Sequence, residues 1–163
     1  MATKFDTLIE MDWRSNILTA ASDITQLLME TKRIAVLGIK PESHDMQPAF
    51  YVPAYMQKAG YEIIPVPVYY PDVTEIMGEK VYRDLRDVPG EIDMVNVFRR
   101  PQDIPKHTDE IRSAKPKSVW IQSGLRNDEV AEILAKEGIK VVQDLCVMVE
   151  HRALIGRRQG RAI

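Results

Sequence analysis

The sequence contains one cysteine, Cys146. No internal disulfide can form, which fits a reducing compartment. Histidine is scarce too: His44, His107 and His151 are scattered, and with a single thiol they make no metal-ligand spacing, so no metal is expected. The 22 basic and 24 acidic residues leave a net charge of −2. The basic excess typical of a nucleic-acid-binding domain is missing, which argues against that partner. No stretch approaches the roughly 18 apolar residues a membrane span needs. The opening MATKFDTLIEMDWR lacks the apolar run of a secretory signal. These absences predict a soluble, cytoplasmic protein that binds neither nucleic acid nor membrane. No period of roughly 20–50 residues recurs, so a solenoid is not expected. At 163 residues, one domain is the default.

Short apolar runs are present, spaced about one helix apart. Residues 33–38, RIAVLG, are continuously rather than alternately apolar, as suits a strand buried on both faces of a parallel sheet. Residues 61–66, 93–98, 118–122 and 139–142 read as further strands, with 81–82 as an edge strand. Residues 5–30 carry apolar positions at three-to-four spacing and predict a leading helical arm, with Ser22 capping its second half. Residues 48–59 form a helix begun by Pro48 or by Pro53. Residues 101–113 and 127–137 give two more, the last with Asn127 as N-cap. Alternating strands and helices predict an α/β fold: a doubly wound, mostly parallel sheet of five or six strands in the order 3-2-1-4-5-6. Ligands of such sheets bind beyond the C-terminal strand ends, where the strand order reverses.

That crevice is expected between the strand ending at Gly38 and the strand ending at Phe98. The turn after the first strand has one glycine where a dinucleotide turn shows G-x-G-x-x-G, so that fingerprint fails. Gly38, Ile39, Lys40 and Pro41 either approach a phosphate through backbone donors and the Lys40 charge, or form a plain strand-to-helix turn. The second strand ends in Val66, Pro67 and Val68, then Tyr69 and Tyr70, without the acid that holds a ribose diol. The segment reads as an apolar wall for an adenine ring or as a rigid loop. Phe98, Arg99 and Arg100 place two guanidinium groups at a central strand end, suited to phosphate or to pairing with Asp103. Gln122 and Ser123 offer hydrogen bonds at the same mouth, or make a tight turn. Cys146 with Glu150 and His151 invites a nucleophile reading but is as easily structural, and no catalytic residue is assigned.

The runs AVLGIKP, AGYEIIPVPV, DMVNVFRRP, VWIQSG and VVQDLCVMVEHR resemble the small CoA-binding proteins of bacteria. Those are relatives of the N-terminal CoA-binding domain of succinyl-CoA synthetase α subunits. The resemblance covers about residues 30–154, and FRRP and the C-x-x-x-E-H segment are its more specific pieces. It implies a Rossmann-like domain over residues 31–154, after a helical extension over 1–30 and before a basic tail over 155–163. It implies coenzyme A, free or acylated, as the ligand. Gly38, Ile39, Lys40 and Pro41 would match the first-turn phosphate contacts, Val66, Pro67 and Val68 the adenine-side wall, and Phe98, Arg99 and Arg100 the segment near pyrophosphate and pantetheine. Two positions depart from the family pattern. Lys40 stands where serine is usual, adding a charge for a phosphate, and Pro67-Val68 stands where asparagine precedes proline.

Three readings follow. A CoA-binding module without its own catalysis leads, because the synthetase reaction needs a phosphorylated histidine on a further domain that these residues do not contain. An NADP-dependent small reductase is the alternative, since a ribose phosphate also wants cations. A homodimer formed through residues 5–30 is the third.

Overall fold

A segment as apolar as Arg-Ile-Ala-Val-Leu is stable only where both faces of its sheet are covered. The computed structural model, which describes residues 12–156, places it second in a five-stranded sheet. In chain order the elements are α1 (Ala21–Glu30), β1 (Arg33–Leu37), α2 (Pro48–Lys58), β2 (Glu62–Val66), β3 (Glu75–Ile76), β4 (Glu79–Lys80), β5 (Met94–Val97), α3 (Thr108–Ala114), β6 (Ser118–Ile121), α4 (Asp128–Lys136), β7 (Lys140–Gln143) and α5 (Val147–His151). The main sheet runs β2-β1-β5-β6-β7, and every pair is parallel. Leu37 lies beside Val66 and Val97, Val97 beside Ile121, and Ile121 beside Gln143, so the C-terminal ends line up along one edge.

The two-residue period of the strands separates two apolar layers. Ala35 and Leu37 join Val95, Val97, Val119, Ile121 and Val141 on one face, closed by Ile111 of α3 and by Val130, Ala131 and Leu134 of α4. Ile34 and Val36 join Ile63, Met94, Trp120 and Val142 on the other, closed by Leu27 and Leu28 of α1, Val52 and Met56 of α2, and Val147 of α5. Helices therefore cover both faces, as the doubly wound reading requires. Trp120 is fully buried, and its indole N–H donates to the Leu145 carbonyl at 2.8 Å. That bond fixes the chain between β7 and α5.

The structure differs from expectation in three places. The sheet has five strands in the order 2-1-3-4-5, counting only its own members, and not 3-2-1-4-5-6. Residues 81–82 form no strand; the Tyr82 N–H makes one bond to the Pro65 carbonyl at 2.9 Å. The preceding chain folds instead into the β3-β4 hairpin, which turns through Met77 and Gly78 at positive φ. The leading segment is not one helix, although its first residues lie outside those described. Trp13–Asn16 is a single 3-10 turn, Ile17 is extended, and α1 starts after Ala20 with no side-chain cap from Ser22. The reason is a competing partner: Ile17 bridges Val141, and the Leu18 N–H donates to the Val141 carbonyl at 2.8 Å, covering the edge of β7. Third, the helix expected over residues 101–113 is 3-10 from Pro101 to His107 and α-helical only from Thr108. Pro105 has no N–H to offer an α-helical ladder.

Among the described residues, no helix is long and apolar enough to cross a membrane. Asn127 caps α4, its side chain accepting the Val130 N–H at 3.1 Å.

Candidate functional site

The site is built where β1 and β5 end side by side. Gly38 has φ +89°, in the left-handed region, and a Cβ there would lie 2.3 Å from the Phe98 carbonyl oxygen. Only glycine lets the two chain ends approach this closely. Its N–H donates to the Val66 carbonyl at 2.9 Å, and the Phe98 N–H donates to the Leu37 carbonyl at 2.9 Å. The Ile39 side chain is buried in the α1-α2-α5 layer. The Lys40 N–H donates to the Ala49 carbonyl at 3.2 Å, and its ammonium donates to the Gln47 side chain. Of the first three amides of the turn, that of Ile39 alone has no partner among the described residues.

After β2 the chain passes from the buried Val66 and Pro67 to the exposed Val68 and Tyr69. Tyr70 follows at φ 65°, an uncommon backbone for a non-glycine residue. Arg83 holds this loop: its guanidinium donates to the carbonyls of Tyr69 at 3.0 Å, Tyr70 at 2.8 Å and Val73 at 2.6 Å.

The two arginines after β5 differ in placement. The Arg100 side chain is 69% exposed and donates through Nε to Asp103 at 2.8 Å. The Arg99 side chain is only 10% exposed. Its Nε donates to Nε2 of His107 at 3.1 Å. Its terminal nitrogens find little: Tyr69 Oη at 3.5 Å and Asp103 Oδ2 at 3.9 Å. The guanidinium carbon lies 5.5 Å from the centre of the Tyr69 ring. The hydrogen bond from Arg99 holds the Tyr69 hydroxyl below its ordinary range, and bonds from Arg100 and then Lys106 do the same for the Asp103 carboxyl.

These three segments enclose a cleft of about 220 Å³ lined by Gly38, Ile39, Lys40, Val68, Tyr69, Tyr70, Phe98, Arg99 and Arg100. Seven of the twelve residues singled out from the sequence lie there. Pro41, Val66 and Pro67 are buried behind the lining. Ser123 is exposed and is not part of the lining. Gln122 is buried and turned inward, its Oε1 accepting from Asn96 at 3.1 Å and from the Val147 N–H at 3.0 Å. Tyr69 and Tyr70 also line the cleft, beyond the residues expected there. The signal was an aromatic pair standing where an acid is usual. His107 and Glu110 gave no such signal, because they reach Arg99 only through the 3-10 turn.

His151 does not meet Cys146. It is buried, its Nδ1 lies 3.0 Å from the Tyr55 hydroxyl, and it stands edge-on to Tyr55 and Tyr61. Burial pushes its imidazole below the ordinary histidine value. The contact joins α5 to α2. Among the described residues, no group of three or more His, Cys, Asp or Glu could hold a metal ion.

Known proteins resemble this chain in sequence and fold. The chain is 38% identical over 130 residues to the protein YneT of Bacillus subtilis (strain 168), covering 80% of this chain and 93% of that one. A solved protein from Thermus thermophilus is 36% identical with a TM-score of 0.77, over 84% of this chain and 100% of that one. One from Pyrococcus horikoshii OT3 is 29% identical with a TM-score of 0.76, over 85% and 94%. Residues 32–152 match the family described as CoA binding domain. With three quarters of its length inside that match, the chain belongs to the CoA-binding domain family.

Proposed function

We propose that this protein binds coenzyme A, free or acylated, by its adenosine-phosphate end in the cleft between β1 and β5, and performs no catalysis of its own. In this reading residues 31–154 are the binding unit.

One observation carries the reading. Arg99 is nine-tenths buried at the cleft wall, yet its terminal N–H groups reach only long contacts, Tyr69 Oη at 3.5 Å and Asp103 Oδ2 at 3.9 Å. A buried guanidinium without its acceptors is costly, and a phosphate oxygen pair matches its fork. The lining holds three cations, Lys40, Arg99 and Arg100, and no acid. Coenzyme A brings a pyrophosphate and a 3′-phosphate, about four negative charges near neutral pH. The Ile39 amide adds a backbone donor, and exposed Tyr69 adds an aromatic face. The cleft is smaller than the roughly 300 Å³ at which small-molecule pockets usually begin. It suits one end of the ligand, leaving the pantetheine arm to run over the surface.

Calorimetry with CoA, NAD and NADP tests this. The expected result is submillimolar CoA affinity, at least about tenfold tighter than NAD. Absence of heat with CoA overturns the proposal. Equal affinity for CoA and NADP overturns the choice of CoA and leaves a general phosphate site.

A further inference from the structure

We propose that His107, anchored by Glu110, is a positioning residue for Arg99: it accepts the guanidinium Nε–H and so turns the terminal N–H groups towards the cleft, and it releases them when it takes a second proton. The proposal rests on the reading of the cleft given above.

The geometry leaves one assignment of protons. Arginine keeps all its N–H groups in a protein, so the Arg99 Nε is a donor and His107 Nε2, at 3.1 Å, must be the acceptor. The imidazole proton then sits on Nδ1, which donates to Glu110 Oε1 at 2.5 Å. Glu110 is fixed in turn, because its other oxygen accepts the Leu85 N–H at 3.0 Å. His107 and Glu110 are both 13% exposed, so water competes weakly for these bonds. The chain of contacts runs from the turn at residues 85–87, through α3, to the cleft. Arg99 meets Tyr69 of the cleft lining at the end of that chain of contacts.

Protonation at Nε2 would set an N–H against the Arg99 Nε–H and a positive charge against the guanidinium. The bond would open, and Arg99 would turn towards Asp103 on its far side. The other charges around His107 are Glu110, which keeps its bond to Nδ1–H in either state, Asp103 and Lys106 on the 3-10 turn, and Asp84 and Arg86 flanking Leu85. Of these, Asp103 is the one acceptor near Arg99, at 3.9 Å from a terminal nitrogen, and it is already held by Arg100 and Lys106. Protonation of His107 should therefore unlatch Arg99.

Two measurements decide it. The first needs no ligand: nitrogen-15 NMR of the full chain near pH 7.5 should show His107 with its proton on Nδ1, and a slowly exchanging Arg99 Nε–H that disappears on going to about pH 5.5. A proton on Nε2 near pH 7.5, or an Arg99 signal indifferent to pH, overturns the proposal. The second compares CoA affinity in the wild type and in H107Q, whose side-chain oxygen can accept the Nε–H without titrating. The wild type should lose about tenfold more affinity than H107Q over that range, while H107A is already weaker at the upper pH. Equal losses in wild type and H107Q would trace the effect to the ligand's own phosphate and overturn the proposal. Failure of CoA to bind at any pH would refute the ligand reading alone, and the NMR measurement would still judge His107.

Discussion

The Lys40 N–H reaches the Ala49 carbonyl because Pro53, four residues further along α2, has no N–H to claim it. In an unbroken helix the residue at position 53 would bond to Ala49. The proline removes that bond, and the released carbonyl ties the turn after β1 to the first turn of α2. A residue that costs about 3 kcal/mol inside an ordinary helix here places a cleft residue.

Replacing Pro53 by alanine restores the helical donor and sets it in competition with Lys40. The Lys40 amide should then exchange with solvent about fivefold faster, the loss of a hydrogen bond of roughly 1 kcal/mol. Hydrogen exchange followed by NMR checks this, and an unchanged rate would mean that the tie does not depend on the proline.

Gly38→Ala should destabilise the protein by at least about 2 kcal/mol, from the positive φ and the clash with Phe98. Urea unfolding measures it. Gly124→Ala provides the comparison: it also has positive φ but nothing within 4 Å of its Cβ, so its cost should be smaller.

Arg99→Ala should weaken CoA binding at least tenfold, about 1.4 kcal/mol, through lost charge-assisted bonds. Arg100→Ala should cost less than about threefold, because Arg100 is exposed and already paired with Asp103. Calorimetry on the two single variants separates them. The opposite ranking would mean that the exposed guanidinium holds the phosphate.

His151 gives the pH dependence a sign. Burial holds its imidazole below the ordinary value, so the folded state resists protonation. Its stabilising contribution is fully present above the unfolded histidine value of about 6.5 and is lost as the pH falls from there through the folded value. Urea midpoints at several pH values should decline on the acid side in the wild type and decline less in H151Q. Parallel curves would mean that other groups cause the acid loss.

Much of the fold was legible in the chain. Continuous apolarity in residues 33–37 marks a strand with both faces covered, and the same holds for β5 and β6, so the parallel sheet follows from local composition. The cleft was half legible. Gly38, Arg99 and Arg100 stand at strand ends, and strand ends in such a sheet are where ligands sit. Gln122 misled because a polar residue at a strand end looks available, whereas its amide oxygen is taken by Asn96 and the Val147 N–H. The leading arm is helical over Ala21–Glu30 as its three-to-four spacing predicts, but that spacing cannot foresee that Ile17 and Leu18 will find the free edge of β7.

The order of residues alone determined the alternation of strand and helix, the glycine and paired arginines at the strand ends and the lack of an acid at the end of β2, since each depends on neighbours in the chain. Tertiary structure alone decided which arginine is buried. Arg99 and Arg100 are chemically identical and adjacent. What separates them is that Asp103 bonds Arg100 while His107 and Tyr69, brought in from other segments, enclose Arg99. Burial and partner are properties of packing, and no local pattern encodes them.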